Sequence, residues 1–533
     1  MRTLQQWRCG EITLTVPSGP HGLETGIQAV FRGPSGREIV REAFWDGGDT
    51  FRIRFAPTEP GEWRYTVTGL AAGTMEDKLL CIPYEGNLAL YRHGFLKVGP
   101  QGRYLCHADN TPFFWLGDTH WHFAVAERWD ESNDPRFDSQ FRAIVDRRAE
   151  QRFNVYQCNF HCEAAGPDKY FRRTEQGLIP DLEFLRDDLD RKVGYLADKG
   201  FCIAAGFSWF FSAFAPGAAA YYKAAVRYLI ARYGAYPMIW TLAGEVGGYN
   251  ASMREKSLRF WREIAKEVER LDGYHHLQTA HYTNERPFAG YYQDEDWFDF
   301  TLNQAGHGDY PIDARPYQAH RAAFRGKPFV ESESMYEQVL TLEPNGRRRA
   351  TPEMLRRVAY LAIQNGACGY TYGAQGMWHI QWDEPDGKPN MGFGSFPPWY
   401  RSIDFPGADQ MTVMRNFYES VGWSRLAPLP RQCLSLRTGG AMVVTFSDED
   451  LTALFVPSVT ADEEMRTVVA YFSETCRYQT LFRTLIQPRY TARWFDPAGG
   501  TYTPLEDVVP QDGVWTAPVK PGEGDAILVL QAK

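Results

Sequence analysis

The chain has 533 residues, more than one hydrophobic core usually organises, and its 44% hydrophobic content makes it globular, with room for two to four domains. A net charge of −9 without any stripe of Lys and Arg interleaved with aromatics excludes nucleic acid as an expected partner, and no apolar run is long enough to span a membrane. The first residues, Met1 to Arg8, carry charge but no apolar core of a signal peptide, so the expectation is a cytoplasmic protein, or a secreted one if a leader has been removed.

Residues 1–82 read as an all-β module of the sandwich type. Glu11 to Val16, Phe51 to Phe55 and Trp63 to Val67 alternate with the period of half-buried strands, and Gly33-Pro34-Ser35-Gly36, Asp46-Gly47-Gly48-Asp49 and Glu59-Pro60-Gly61 supply turns between them. Trp45, Asp46 and Trp63 could meet a ligand, but a core role is favoured for the aromatics. A linker follows over 83–94.

From 95 to 428 the pattern changes to apolar runs separated by helical stretches, as in a (β/α)8 barrel. The eight runs are Pro112 to Leu116, Phe153 to Cys158, Cys202 to Phe207, Met238 to Leu242, Leu277 to Ala280, Phe298 to Leu302, Pro328 to Val330 and Ala367 to Tyr372. Helix periodicity is clear in Met253 to Leu271, and Thr351-Pro352-Glu353 is a start signal for a helix up to Asn365. Residues 429–533 return to alternating strands, such as Met442 to Phe446, Leu451 to Phe455 and Ala526 to Leu530, a second β-sandwich expected to cover the barrel's flank.

Every run of the barrel ends in polar residues, which a structural rim would not require. Asp118 and His120 follow the first and His161 the second; Glu245 follows the fourth and His281 the fifth; Gln304 and His307 follow the sixth. The seventh delivers Glu331 and Glu333, and the eighth Tyr372 and Trp378. Acids at the C-terminal ends of barrel strands sit where the active-site loops leave the barrel, and two of them suffice for glycoside hydrolysis: one protonates the leaving oxygen while the other attacks the anomeric carbon or activates water. Glu245 and Glu333 are the expected catalytic pair, with a rim salt bridge to Arg254 as the plain alternative for Glu245 and the nearby Glu331 and Glu337 as alternatives to Glu333. Glu331 shares a side with Glu333 by strand alternation but sits deeper, where a carboxyl tends to be protonated or paired. Asp118, His120, His161, His281, Gln304, His307, Glu331, Tyr372 and Trp378 are the expected sugar-binding residues, with a buried supporting role open for any of them. The 15% aromatic content suits sugar stacking as well as packed sandwiches. The nine cysteines lack CxxC spacing and read as buried free thiols; no metal or other cofactor is expected. Two other readings stay open: a non-catalytic carbohydrate-binding or adhesive protein on a degenerate barrel, and a metal-dependent hydrolase using His120, His122, His161, His281 and His307. Homo-oligomerisation is also left open.

Several stretches resemble the apiosidase-like glycoside hydrolases of the family 140 type, within the retaining clan A of barrel enzymes. They are Phe114-Trp115-Leu116-Gly117-Asp118-Thr119, Ile239 to Glu245, Gly306-His307-Gly308 and Lys327 to Glu337. Phe44-Trp45-Asp46-Gly47 and Pro60-Gly61-Glu62-Trp63 resemble the sandwich that precedes such barrels. Trp494 to Gly500 resembles the small β domain that follows them, labelled collagen-binding in some family descriptions. The resemblance implies a retaining glycosidase with Glu333 as nucleophile and Glu245 as acid/base. Two departures stand out: the apiosidase-like pattern usually has Asp at the place of Glu245, and the wider clan has Asn where Gly244 precedes it.

Overall fold

The computed structural model describes all residues except 18, 20–21, 164–168, 176, 284–289, 309–314, 324–325, 343–346, 385–392, 431–432, 439–441 and 446–454. The expected strand over Leu451 to Phe455 lies almost wholly outside the described residues.

At the centre is a parallel sheet in the order Met238–Gly244, Cys202–Trp209, Val155–Asn159, Trp115–His120, Gly369–Tyr372, Phe329–Glu333, Thr301–Gln304. Its edges meet through the segment 278–281, where Gln278 pairs with Trp240 and His281 with Leu302 in single parallel bridges, giving a TIM-like barrel. The expected fifth strand is thus irregular, though backbone bonds run from Trp240 N–H to the Leu277 carbonyl at 3.0 Å, from Thr279 N–H to the Trp240 carbonyl at 2.9 Å and from Asp299 N–H to the Gln278 carbonyl at 2.9 Å. Side chains supplement these bonds: the Gln278 backbone N–H donates to Asp299 Oδ2 at 2.8 Å, and Thr279 Oγ1 donates to the Phe300 carbonyl at 2.5 Å. The first run also differs. Pro112–Phe113 is a short strand of a separate three-stranded sheet with Leu96–Val98 and Leu105–His107, and the barrel strand begins only at Trp115. Pro112 lacks the N–H a central strand needs, which suits it to that small edge.

Trp115, Val155, Ala204, Ile239, Leu302, Val330 and Cys368 belong to one buried cluster with Leu105 and Phe113 of the small sheet. Above them a polar tie crosses the barrel. Gln157 Nε2 donates to the Ser332 carbonyl at 2.9 Å, Thr371 Oγ1 to Gln157 Oε1 at 3.2 Å, and Trp115 Nε1 to Thr371 Oγ1 at 2.9 Å. The intervening residues, among them Tyr156, Cys158, Tyr370 and Tyr372, pack into the outer layer with the helices. The helix Ala251–Leu271 buries Trp261, Ile264, Val268 and Leu271 and is capped by Asn250, which accepts from the Met253 amide. Thr351 caps Pro352–Gln364 in the same way, with Pro352 in the first turn where its missing N–H costs nothing.

The N-terminal region holds a five-stranded and a three-stranded sheet around Phe31, Ile53, Phe55, Trp63 and Val67. Trp63 is fully buried there, and Asp46 is neither free nor ligand-facing: it is 2% exposed and pairs with Arg52, Arg186 and Arg232. Three of the last four carbonyls of the helix Ala218–Tyr233 are capped from this region. Arg41 Nη2 donates to Ile230 and Ala231, and Arg54 Nη1 to Arg232, at 2.8 to 3.0 Å. The C-terminal region holds a six-stranded and a four-stranded sheet around Leu436, Val468, Phe472, Trp494 and Leu528. It leans on the barrel's outer helices through Tyr360 stacked on Tyr471, Phe417 stacked on Phe495, and the Arg356–Asp525 ion pair at 2.8 Å. All nine cysteines are free. No helix among the described residues is long and apolar enough to cross a membrane.

Candidate active site

Glu333 is the last residue of its strand, and the segments carrying His281 and His307 close over it. His281 Nε2 lies 3.2 Å from Glu333 Oε2, and His307 Nε2 lies 3.1 Å from Oε1. Burial works against ionisation of Glu333, but the two imidazoles outweigh it and hold the carboxyl well below the usual carboxylate range.

Glu245 follows immediately after the strand Met238–Gly244, which departs from regular pairing with Cys202–Trp209 on either side of Gly206. Leu242 and Glu245 both take positive φ, +52° and +55°. Left-handed backbone at a non-glycine residue costs roughly 1–3 kcal/mol and is tolerated where the surroundings impose it. The irregular ending turns Glu245 towards Gln304, whose Nε2 lies 3.4 Å from Oε1, and towards Tyr249, whose hydroxyl donates to Oε2. Burial, reinforced by the negative charge of Glu333, pushes the Glu245 carboxyl upwards. The two acids are therefore displaced in opposite directions, the condition for one to donate a proton while the other stays ionised.

Gly244 has a particular reason to lack a side chain. A Cβ there would lie 2.3 and 2.4 Å from Cε3 and Cζ3 of Trp209, the residue paired with it across the strands. Gly244→Ala is expected to displace the indole and overpack the site, lowering stability by about 1–3 kcal/mol; a thermal melt beside the parent measures it.

An aromatic wall adjoins the acids. Trp121 lies edge-on to Trp209 and to His281, with centroids 5.4 and 5.0 Å apart, and its Nε1 donates to the Tyr336 hydroxyl at 2.9 Å. Tyr336 in turn stacks on Trp378 at 5.5 Å and tilts against His307 at 4.6 Å. Burial, with the adjacent Glu333 charge, raises the Tyr336 phenol and keeps it a hydrogen-bonding neutral group.

Of the residues expected from sequence, Glu245, Glu333, His281, Gln304 and His307 thus come together, with Trp378 behind Tyr336. The other five, Asp118, His120, Tyr372, Glu331 and His161, find their partners elsewhere. Asp118 and His120 face the helices: Asp118 accepts from Arg148 Nε at 2.5 Å and faces His120 Nε2 at 3.0 Å, while His120 Nδ1 lies 2.7 Å from Glu127. Burial opposes charge on His120, but Glu127 and Asp118 prevail and raise it to about 9; Arg148 likewise holds Asp118 low against its burial. Tyr372 points the same way and donates to Glu337 at 2.6 Å. The reason is strand parity. Trp115 faces the barrel interior, so Gly117 and Thr119 share its side, while Asp118 and His120 face out beside Tyr372, the register partner of Asp118. Glu331 is fully buried and accepts from Asn303 Nδ2 and from the Ala305 amide at 2.9 Å, holding the segment that bears Gln304 and His307. His161, at φ +59°, pairs with Glu163 at 2.5 Å and faces His122, which in turn packs against His379.

The five histidines of the metal-dependent reading therefore fall in three places. Among the described residues no group of three or more His, Cys, Asp or Glu is arranged to hold an ion. Reasoning from strand ends overlooked Trp121, Tyr249 and Tyr336. The signal for Tyr249 was its place after Gly247-Gly248, where the chain can turn back over Glu245.

Two carboxyls displaced in opposite directions at strand ends of a TIM-like barrel are the kind of arrangement that glycoside hydrolysis uses. Residues 99–425, more than half of the chain, match the family described as "Apiosidase-like, catalytic domain", and the chain belongs to that family. Residues 3–69 match a domain of unknown function, DUF5060. No curated protein matches the chain. Among solved structures, one described as "Glycoside hydrolase" aligns with TM-score 0.64 at 20% identity, covering 84% of this chain and 99% of its own. A glycoside hydrolase family 5 structure from Bacteroides vulgatus ATCC 8482 aligns with TM-score 0.63 at 19% identity, covering 83% and 94%. At such identities these likenesses concern the fold.

Proposed function

We propose that this chain is a retaining, exo-acting glycosidase for an oligosaccharide or plant-glycan fragment, with Glu245 as acid/base and Glu333 as nucleophile. The observation that carries the pair is the opposite displacement of the two carboxyls, Glu245 upwards and Glu333 downwards. Glu333 is pre-ionised between His281 and His307. Glu245, desolvated and beside a negative charge, keeps its proton for the leaving oxygen and in the second step takes one from water. Retention rests on the family, and exo action on the dense polar and aromatic lining. Gln304 positions Glu245, while Trp121 and Tyr336 wall the sugar site, with Trp378 stacked behind Tyr336. We read the barrel as spanning 95–428, with β-sandwiches at 1–82 and 429–533 as flanking supports.

The test is release of aryl alcohol from a panel of aryl glycosides, pentosides included, by the parent, Glu333→Ala and Glu245→Ala, with a chelated parent alongside. Cleavage abolished in Glu333→Ala and unaffected by chelation supports the reading. Silence across the panel together with glycan-array binding would favour a binding protein instead.

The same assay should show a bell-shaped kcat/KM against pH. Glu333 must be ionised, and its downward shift sets the acid limb below the ordinary glutamate value of ~4.3, while the upward shift of Glu245 sets the alkaline limb above it. A profile whose alkaline limb falls at or below the ordinary value would contradict the assignment of Glu245.

A further inference from the structure

Most aromatic side chains around the two acids are buried: Trp121 is 2%, Tyr336 3% and Trp378 7% exposed. The acid/base side differs. Tyr249 is 70% exposed and Phe211 46%, and both rings pack edge-on against the buried Phe210, with centroids 5.0 and 5.6 Å from it. Trp209, half-buried, begins the same segment and lies over Gly244, next to Glu245. The Tyr249 hydroxyl reaches Glu245 itself. Exposed rings cost solvation unless something covers them in use, and here their neighbour is the group that protonates the leaving oxygen.

We infer that Trp209, Phe211 and Tyr249 form the binding surface for the leaving group, selecting a substrate whose aglycone presents a flat apolar face. This rests on the reading of Glu245 as the acid. In either half of the reaction the departing alcohol, or the water that replaces it, sits against Glu245, so whatever is attached to that oxygen extends over the rings beside it. A sugar ring's C–H face and an aryl ring share the required chemistry, since both stack on an aromatic side chain. Tyr249 has two parts with separable tasks: its ring contributes to the platform, while its hydroxyl lowers the carboxyl it bonds. Gly247 and Gly248, the latter at φ +61°, connect it to the acid and let the ring withdraw when a leaving group enters.

The test compares three glycosides of the sugar identified by the panel: the 4-nitrophenyl glycoside, a disaccharide and the methyl glycoside. For each, kcat/KM is measured in the parent, Phe211→Ala, Tyr249→Ala and Tyr249→Phe. Differences in leaving-group reactivity cancel when each variant's flat-to-methyl ratio is divided by the parent's. Phe211→Ala and Tyr249→Ala are expected to lower that ratio at least tenfold for the aryl glycoside, the disaccharide or both, which also distinguishes a phenolic from a sugar aglycone. Tyr249→Phe should keep the ratio while moving the alkaline limb of the pH profile upwards. A merely structural role would depress all three substrates equally, and an unchanged ratio with active parent enzyme overturns the inference alone. An inactive parent overturns it together with the glycosidase reading.

Discussion

Glu333→Gln is expected to lower kcat/KM by roughly 10⁴-fold or more, the scale seen when a covalent nucleophile is removed. The substitution keeps size and shape, so His281 and His307 remain in place, but an amide can neither attack the anomeric carbon nor stabilise its positive charge. Folding should survive, since the amide oxygen still accepts from one histidine and the amide NH2 can donate to the other once that imidazole takes its alternative tautomer. Glu245→Ala should behave differently. Loss of a general acid costs about 10²–10⁴-fold, and the cost depends on how much the leaving group needs a proton. An aryl glycoside with an acidic leaving group should be cleaved nearly as fast in the first step, with slow turnover of the intermediate, whereas a disaccharide should be almost inert. Added azide should restore turnover of Glu245→Ala and not of Glu333→Gln. Equal loss on all substrates in both variants would remove the distinction between acid/base and nucleophile.

The second large effect concerns stability. Asp118→Asn should destabilise the chain by about 3–5 kcal/mol, the usual cost of removing one partner from a buried ion pair. Arg148 is fully buried and its Nε donates to Asp118; without that carboxylate its charge loses the nearest compensation, although Gln151 Oε1 at 2.7 Å and the Ile403 carbonyl at 3.1 Å remain. His120 would lose one of two carboxylates. Its pKa is raised in the folded chain to about 9, so its stabilisation is fully present below the unfolded value near ~6.5 and is lost as pH rises through about 9. The asparagine variant should therefore differ most from the parent in the mildly acidic range below ~6.5, where Asp118 is still ionised, and progressively less as pH rises through about 9; denaturation midpoints of both proteins at several pH values measure this. A difference that does not vary over this range would mean His120 is not charged in the fold.

Much of the barrel can be read from the chain because its strands are short apolar runs between helices with clear caps, as at Asn250 and Thr351. The acids were legible for the same reason: Glu245 and Glu333 each stand where an apolar run gives out. What could not be read was parity. Shifting the start of the first strand from Pro112 to Trp115 determines which of its alternating residues face the interior, and Asp118 and His120 prove to look outwards. The fifth strand is weak in sequence and irregular in the fold, where side-chain hydrogen bonds supplement a few backbone ones. Tyr249 and Tyr336 escaped notice because their roles arise from loops folding back, and no local periodicity records that.

The guanidinium caps on the helix Ala218–Tyr233 bear on how the chain can be divided. Arg41 and Arg54 supply donors that this helix would otherwise have to find in water, and Arg232 sends its own charge back to Asp46 across the same boundary. A barrel cut free at the linker would take the Arg41 and Arg54 donors from the Ala231 and Arg232 carbonyls and Asp46 from Arg186 and Arg232, the latter keeping Asp190. The N-terminal sheets are thus a finishing piece of the barrel rather than a detachable module, and truncation there is a change to the enzyme's framework.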